Sequence, residues 1–282
     1  MAFWMFLAML FAAAPAPAPA PEPGATPSPQ RVLGLIRAAF RAHRPPPPFV
    51  SYTMVRSQKD SNGFPDYVGS YTYHIWCRTS DRASLARKVF RNTYRGSLEW
   101  QRQAFNERID PGPPTADVFE PAPAKSRPAN FVPTPEPPAS PLRVIGETGV
   151  VGEFDYAVRT LAIEGDQVHL TIEPTRDPDR NRLREIWADK KTYEIKQLAA
   201  TDKLFYGTGR SEIVYGVRFI VKFATLEGFP IITDIHGVVG DNYNDDGKEV
   251  DFKYSAVTFP KTLPDWYFDA KSYASHTSEA PL

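Results

Sequence analysis

Residues 168–198 read VHLTIEPTRDPDRNRLREIWADKKTYEIKQL and indicate the fold class. From Val168 to Pro174 apolar and polar side chains alternate, which is the period of a strand with one buried face. Two further strand-like runs, 182–189 and 192–198, flank the pair Lys190-Lys191. Because short turns join antiparallel neighbours, the stretch predicts three consecutive antiparallel strands.

The register of the last two strands depends on the length of the loop between them. With a two-residue loop at Lys190-Lys191, Ile186 faces Ile195 and Leu183 faces Leu198, which are favourable cross-strand pairs. Lys-Lys is not a preferred sequence for such a turn. The two-residue register is therefore an expectation that follows from side-chain pairing alone.

A family resemblance rests on residues 187–193, WADKKTY, together with Lys196. This segment resembles the W-x-D-x-x-T-Y hairpin of the LolA-like superfamily, which comprises periplasmic lipoprotein-sorting proteins and relatives such as RseB-like sensor domains. The resemblance implies a curved antiparallel sheet, a half-barrel, wrapped around helices and enclosing an apolar cavity. It covers one hairpin and therefore transfers no contact residue.

An amphipathic helix is predicted before the first strand. Ser28-Pro29 reads as an N-cap followed by the first helical residue. Apolar residues then recur at helical spacing and should face the sheet: Val32, Leu35, Ile36, Ala39 and Phe40. Together with the strands, this helix gives the predicted fold class, α+β, with a curved antiparallel β-sheet around an N-terminal amphipathic helix.

The first residues predict export. Phe3–Ala14 is an apolar run that is short for a membrane span and typical of a secretory signal. Residues 1–25 are interpreted as a signal peptide and the start of a Pro/Ala tether, and a periplasmic or otherwise exported location follows. An uncleaved anchor or a misassigned start is the alternative, because no Lys or Arg precedes the run.

Residues 26–282 are predicted to form a single domain with a Pro-rich insertion at 110–141. That segment contains 11 prolines, which excludes regular helix and internal strand. A disordered insertion, an extended strap across the surface and a domain boundary remain open. The insertion is the preferred interpretation, and folding is then expected not to need it.

Nothing in the chain indicates catalysis. The sequence lacks a phosphate loop and a nucleophile elbow, its histidines are dispersed, and its only cysteine, Cys77, lies in a strand-like run. Asn242–Gly247 superficially suggests a calcium loop but places Lys253 where the bidentate Glu belongs. We therefore expect no enzyme, no metal and no cofactor. The net charge of +0 gives no case for nucleic acid.

Two apolar rows are predicted to share the concave face and to line a hydrophobic-ligand site: Ile186, Tyr193, Ile195, Val217, Phe219, Val221 and Phe223. The resemblance implies a protein that binds or carries a lipid or a lipidated protein, that is, a lipoprotein, and we expect a monomer. The alternative is a structural or sensory module of the cell envelope that uses the same face for an envelope protein. A large cavity favours the carrier, and a filled interior favours the module.

Overall fold

The computed structural model describes residues 27–60, 67–90, 93–97, 112–122, 155–206, 213–239, 248–269, 272, 275 and 276. Its elements are α1 (Pro29–Arg41), β1 (Phe49–Asp60), β2 (Tyr67–Arg78), β3 (Ser84–Phe90), β4 (Thr93–Ser97), β5 (Tyr156–Glu164), β6 (Gln167–Pro174), β7 (Leu183–Asp189), β8 (Ile195–Tyr206), β9 (Ile213–Leu226), β10 (Phe229–Val239), β11 (Lys248–Thr258) and a 3₁₀ helix (Asp265–Tyr267). The predicted signal peptide lies outside these residues. None of the described helices is long and apolar enough to cross a membrane.

The described strands form one 11-stranded sheet in the order β4-β3-β2-β1-β11-β10-β9-β8-β7-β6-β5. Every neighbouring pair is antiparallel, and β1 pairs with β11. The first and last strands therefore meet in the interior of the sheet, while β4 and β5 form its edges. One helix with this sheet confirms the predicted α+β class.

The sheet is strongly curved. Glu120 forms an ion pair with Arg82, in the β2–β3 turn, at 2.7 Å. Two residues later, the backbone N–H of Ala122 donates to the carbonyl oxygen of Arg180, in the β6–β7 loop, at 3.0 Å. Between β2 and β7 lie six strand spacings, about 29 Å in a flat sheet. The short stretch from Glu120 to Ala122 cannot span that distance, so the two flanks of the sheet must curl towards each other, as in a half-barrel.

Helix α1 lies on the concave side and is tied to the edge strand β5. The Ser28 hydroxyl accepts a hydrogen bond from the backbone N–H of Arg31, as the predicted N-cap requires. The Gln30 side chain donates to Tyr156 O and accepts from Val158 N, at 3.0 and 3.2 Å. Gln30 thus satisfies backbone groups at the sheet edge that would otherwise lack a strand partner.

The buried stripe of α1 differs from the prediction at three positions. Its buried residues are Val32, Leu33, Ile36 and Phe40, whereas the predicted Leu35 and Ala39 are only half-buried. Leu33 is 1% exposed. The stripe is therefore rotated towards Leu33.

The predicted two-residue loop between β7 and β8 is wrong. Ile186 pairs with Leu198 rather than with Ile195, and Ala188 pairs with Ile195. The loop comprises residues 190–194, and irregularities at both ends of the pairing absorb the extra residues. Ile186 and Ile195 are nevertheless both buried, so the assignment of faces survives the change of register.

Asp189 explains the longer loop. Its side-chain oxygen accepts the backbone N–H groups of Lys191 and Thr192, each at 2.8 Å. The backbone N–H of Tyr193 then donates to Asp189 O at 2.9 Å, and Tyr193 adopts a φ of 59°. A carboxylate that binds two successive N–H groups stabilises a turn wider than two residues. The Asp, Thr and Tyr of the hairpin motif thus each have a conformational role.

The C-terminal segment packs on the convex side of the sheet. Tyr267 lies in the 3₁₀ helix and forms a second, smaller core with Trp76 of β2 and Leu85 of β3. The rings of Trp76 and Tyr267 meet edge to face, with centroids 5.5 Å apart.

Candidate hydrophobic-ligand site

One apolar row crosses the concave face at right angles to the strands. Its members are paired in register from β6 to β11: Leu170, Ile186, Leu198, Val221, Ile235 and Phe252. Each is at most 8% exposed. Because successive side chains on a strand point to opposite faces, this register gives the sheet one continuous apolar surface on its inner side.

The structure brings six of the seven predicted lining residues together. Ile186, Ile195 and Val221 belong to the main core, and the half-buried Tyr193, Phe219 and Phe223 pack against it. Val217 is buried but outside this cluster. It pairs with Asp202, whose carboxylate lies 3.1 Å from the Arg182 guanidinium, so Val217 marks the polar end of the apolar series that runs along β9. Ligand contact by these residues stays a prediction.

Phe219 occupies space that only a glycine leaves open. It pairs with Gly237 on β10, and a Cβ atom at Gly237 would lie 2.6 Å from the Phe219 ring. The same Cβ would also meet a methyl group of Val250 at 3.0 Å. The Phe219 ring therefore lies across the neighbouring strand and forms part of the inner surface, as predicted from alternation.

Residues 112–122, called the strap from here on, cross the concave side as a series of short turns. Phe119 is 3% exposed and belongs to the main core. Its ring centroid lies 5.7 Å from that of Phe40, and Phe40 in turn lies 6.3 Å from Phe223. This part of the Pro-rich segment therefore packs against the core, whereas residues 123–141 lie outside the described part of the chain, and the insertion at 110–141 stays a prediction.

Arg44 holds the middle of the strap. Its guanidinium donates to the carbonyl oxygens of Thr115 and Ala116, at 2.7 and 2.9 Å. It also lies over the rings of Phe40 and Phe229, with centroids 5.0 and 5.2 Å away. Burial lowers the pKa of Arg44, but from an ordinary value high enough that the group stays cationic.

The strap makes further polar contacts. The Tyr254 hydroxyl donates to Gly112 O at 3.0 Å, and Ile232 N donates to Pro114 O at 2.8 Å. Asp117 lies 3.6 Å from the Arg41 guanidinium. Ala116 and Val118 also pack against the main core, so apolar contacts as well as hydrogen bonds and ion pairs hold the strap.

Sequence reasoning missed the two arginines nearest this interior. Arg44 follows the helix in a Pro-rich context that gave no sign of burial. Arg56, by contrast, continues the alternation of Val50, Tyr52 and Met54 along β1, and at 7% exposure it faces the core with them. Strict alternation along β1 was therefore the signal that would have placed Arg56 on the concave face.

The convex face is polar at the corresponding strands. His169 stacks on Trp187 with ring centroids 4.2 Å apart, and its ring nitrogens lie 3.2 and 3.1 Å from carboxylate oxygens of Glu164 and Glu185. Trp187 therefore packs on the outer face of the hairpin, away from the apolar row.

Within the described ranges, no group of three or more His, Cys, Asp or Glu side chains is placed to hold a metal ion.

No protein-family model and no curated protein matches the chain. Among solved structures, the chain is similar to a DUF1329 family protein from Desulfovibrio piger, with 11% identity, coverage of 88% of this chain and 99% of that chain, and a TM-score of 0.41.

Two further structures are similar. One is a LolA superfamily protein from Nitrosomonas europaea, with 13% identity, coverage of 87% and 99%, and a TM-score of 0.34. The other is described as an outer membrane lipoprotein-sorting protein domain from Vibrio parahaemolyticus, with 9% identity, coverage of 86% and 98%, and a TM-score of 0.35. These likenesses concern the fold alone.

Proposed function

We propose that this chain is an exported, non-catalytic protein that binds or carries a lipid or a lipidated protein in the apolar interior of its half-barrel. The observation that carries the proposal is the apolar row from Leu170 to Phe252, which gives the inner face one continuous surface over six strands. Five strand spacings make this row about 24 Å long, which is long enough for an acyl chain. The apolar run Phe3–Ala14 supports export.

The ligand takes the place of the strap in this proposal. Phe119 already fills an apolar position beside Phe40 and Phe223, which is the kind of contact that an acyl chain would make. The strap is otherwise held by contacts such as the two hydrogen bonds from Arg44. Displacement of the strap therefore costs two hydrogen bonds from a charged donor, and the apolar contacts of the ligand must offset that cost.

A second function is favoured by one specific observation. The row residues are 0–8% exposed, so α1, the strap and the sheet itself cover them. A filled interior suits a structural or sensory module that binds an envelope protein through its outer surfaces. Lipid binding requires the strap to leave, and protein binding does not.

Titration with a fluorescent acyl probe separates the two functions. If the interior binds lipid, the wild type gives saturable binding, and Phe119→Ala binds several-fold more tightly because its strap competes less well. Phe219→Asp and Ile195→Asp then bind at least tenfold more weakly, because each places a charge on the apolar surface. Absence of saturable binding in both the wild type and Phe119→Ala would leave the protein-interaction module.

Val238→Asp is the matched control for Phe219→Asp. Val238 neighbours Gly237 on β10 but points to the convex face, where it is 37% exposed. The two variants carry the same new charge on adjacent parts of the sheet. Equal losses of probe binding in both would show that the effect is general destabilisation and not loss of an inner surface.

A further inference from the structure

The apolar row does not end in another apolar residue. Phe252, its last member on β11, pairs with Arg56 on β1. Among the described residues, the buried polar or charged side chains are Ser51, Arg56, Thr115 and Asn181, so Arg56 is the one charged group in that set. A guanidinium at the end of six apolar side chains makes the inner surface amphiphilic, with its charged end at β1.

A second hydrogen-bond donor lies beside Arg56. Tyr254 pairs with Met54, one step along the same face, so Tyr254 and Arg56 are diagonal neighbours with Cα atoms about 7–8 Å apart. Both long side chains reach across such a distance. The Tyr254 hydroxyl donates to the carbonyl oxygen of Gly112, the first described residue of the strap. The Gly112 carbonyl oxygen therefore occupies the position in which an oxygen atom of a ligand would accept the hydrogen bond from Tyr254.

We propose that Arg56 and Tyr254 form the head-group site of the interior, and that the ligand is a single-chain amphiphile with an anionic head, a carboxylate or a phosphate. The inference rests on the proposed lipid-binding function and adds the chemical class and orientation of the ligand. The head lies at β1 and β11, and the tail runs across the strands towards Leu170.

The chemistry of the two donors fits this head group. A guanidinium binds carboxylate or phosphate oxygens through paired N–H donors, and the phenol adds one O–H donor. Hydrogen bonds to a charged acceptor are roughly twice as strong as neutral ones. When the strap leaves, Gly112 withdraws its carbonyl from Tyr254, and the anionic head replaces it. An uncharged head offers the same shape with a weaker acceptor, so charge becomes the selective feature.

The test compares dansyl-undecanoic acid with its methyl ester, two probes that share the tail and differ in the charge of the head. The wild type should bind the acid at least about tenfold more tightly, the range expected for a charge-assisted pair. Arg56→Met should bring the two affinities within about twofold of each other. Tyr254→Phe, which removes only the hydroxyl, should reduce the preference about threefold, and Arg56→Lys should keep part of it.

Tyr156→Phe is the matched control. Tyr156 is also a buried tyrosine with a hydrogen-bonded hydroxyl, but it lies on the edge strand β5, where its oxygen accepts from Leu183 N. Its removal should leave the preference for the acid unchanged. Displacement of the bound probe by palmitic acid or by a lysophosphatidic acid of equal chain length then distinguishes a carboxylate from a phosphate head, with palmityl alcohol as the uncharged competitor.

Each outcome decides the inference. Equal, saturable binding of acid and ester by the wild type overturns the head-group site and leaves the proposed function standing. An undiminished preference for the acid in folded Arg56→Met also overturns it. If Arg56→Met does not fold, the wild-type ratio and Arg56→Lys decide. Absence of saturable binding of either probe removes the proposed function and the head-group site together.

Discussion

Leu33 and Leu35 lie two positions apart on α1 and differ sharply in burial. Leu33 is 1% exposed and Leu35 is half-buried. Truncation of a fully buried leucine removes its transfer free energy and leaves a cavity, so Leu33→Ala should lower the free energy of unfolding by about 2–5 kcal/mol. Leu35→Ala is the matched control and should lower it by less. Urea denaturation measures both, and equal losses would contradict the rotated stripe.

Helical spacing favours Leu33 over Leu35. At about 100° per residue, Leu33 lies about 20° beyond Phe40, at one edge of the stripe that Val32, Ile36 and Phe40 define, whereas Leu35 lies about 60° beyond Val32, at the other edge. The prediction chose the wrong border because the series of helical spacings that starts at Val32 includes Leu35 and Ala39. Arg56 is a similar case, since strand alternation alone places it correctly.

At the level of elements, the β7–β8 loop depends on the Asp189 carboxylate. Asp189→Ala should lower the urea midpoint, because it leaves the N–H groups of Lys191 and Thr192 without their acceptor. Asp189→Asn keeps an acceptor oxygen and should retain most of the stability. An unchanged midpoint in Asp189→Ala would show that backbone bonds alone hold the loop.

The urea midpoints of Asp189→Asn and of the wild type are also expected to respond differently to acid. Hydrogen bonds from the backbone N–H groups of Thr192 and Lys191 lower the pKa of Asp189. The folded state therefore binds this proton less readily than the unfolded state, so the carboxylate stabilises the fold above its ordinary pKa. That contribution is lost as pH falls through the lowered value. The midpoint of Asp189→Asn should accordingly fall less steeply in acid than that of the wild type.

The hairpin was recognisable from sequence, but its loop was not. The side chains of Ile186 and Ile195 fix which face each strand buries, and burial confirms that assignment. The register also depends on how the Asp189 side chain and the left-handed Tyr193 use loop residues. A prediction from favourable cross-strand pairs takes no account of those local hydrogen bonds, and it therefore made the loop too short.

For the whole molecule, the order of strand-like runs was sufficient to predict one antiparallel sheet around one helix, because short turns make sequential neighbours pair. The β1–β11 pairing and the position of the strap join residues far apart in sequence, and no local period encodes them. The predicted lining residues therefore lie on the expected face, but the covering of that face by Phe119 was not foreseen.

The strap holds the two flanks of the half-barrel together, so its removal should affect the entire fold. Deletion of residues 112–141 removes Phe119 from the core and takes from Arg44 both carbonyl acceptors. The expected loss is at least the roughly 3–5 kcal/mol of a buried phenylalanine, because an unsatisfied guanidinium adds to it. Deletion of residues 123–141 alone, for which the sequence still predicts dispensability, is the matched control and should leave the urea midpoint nearly unchanged. Equal midpoints for the two deletions would show that the strap only covers the surface, and a large loss in the control would extend the structural role to the rest of the Pro-rich segment.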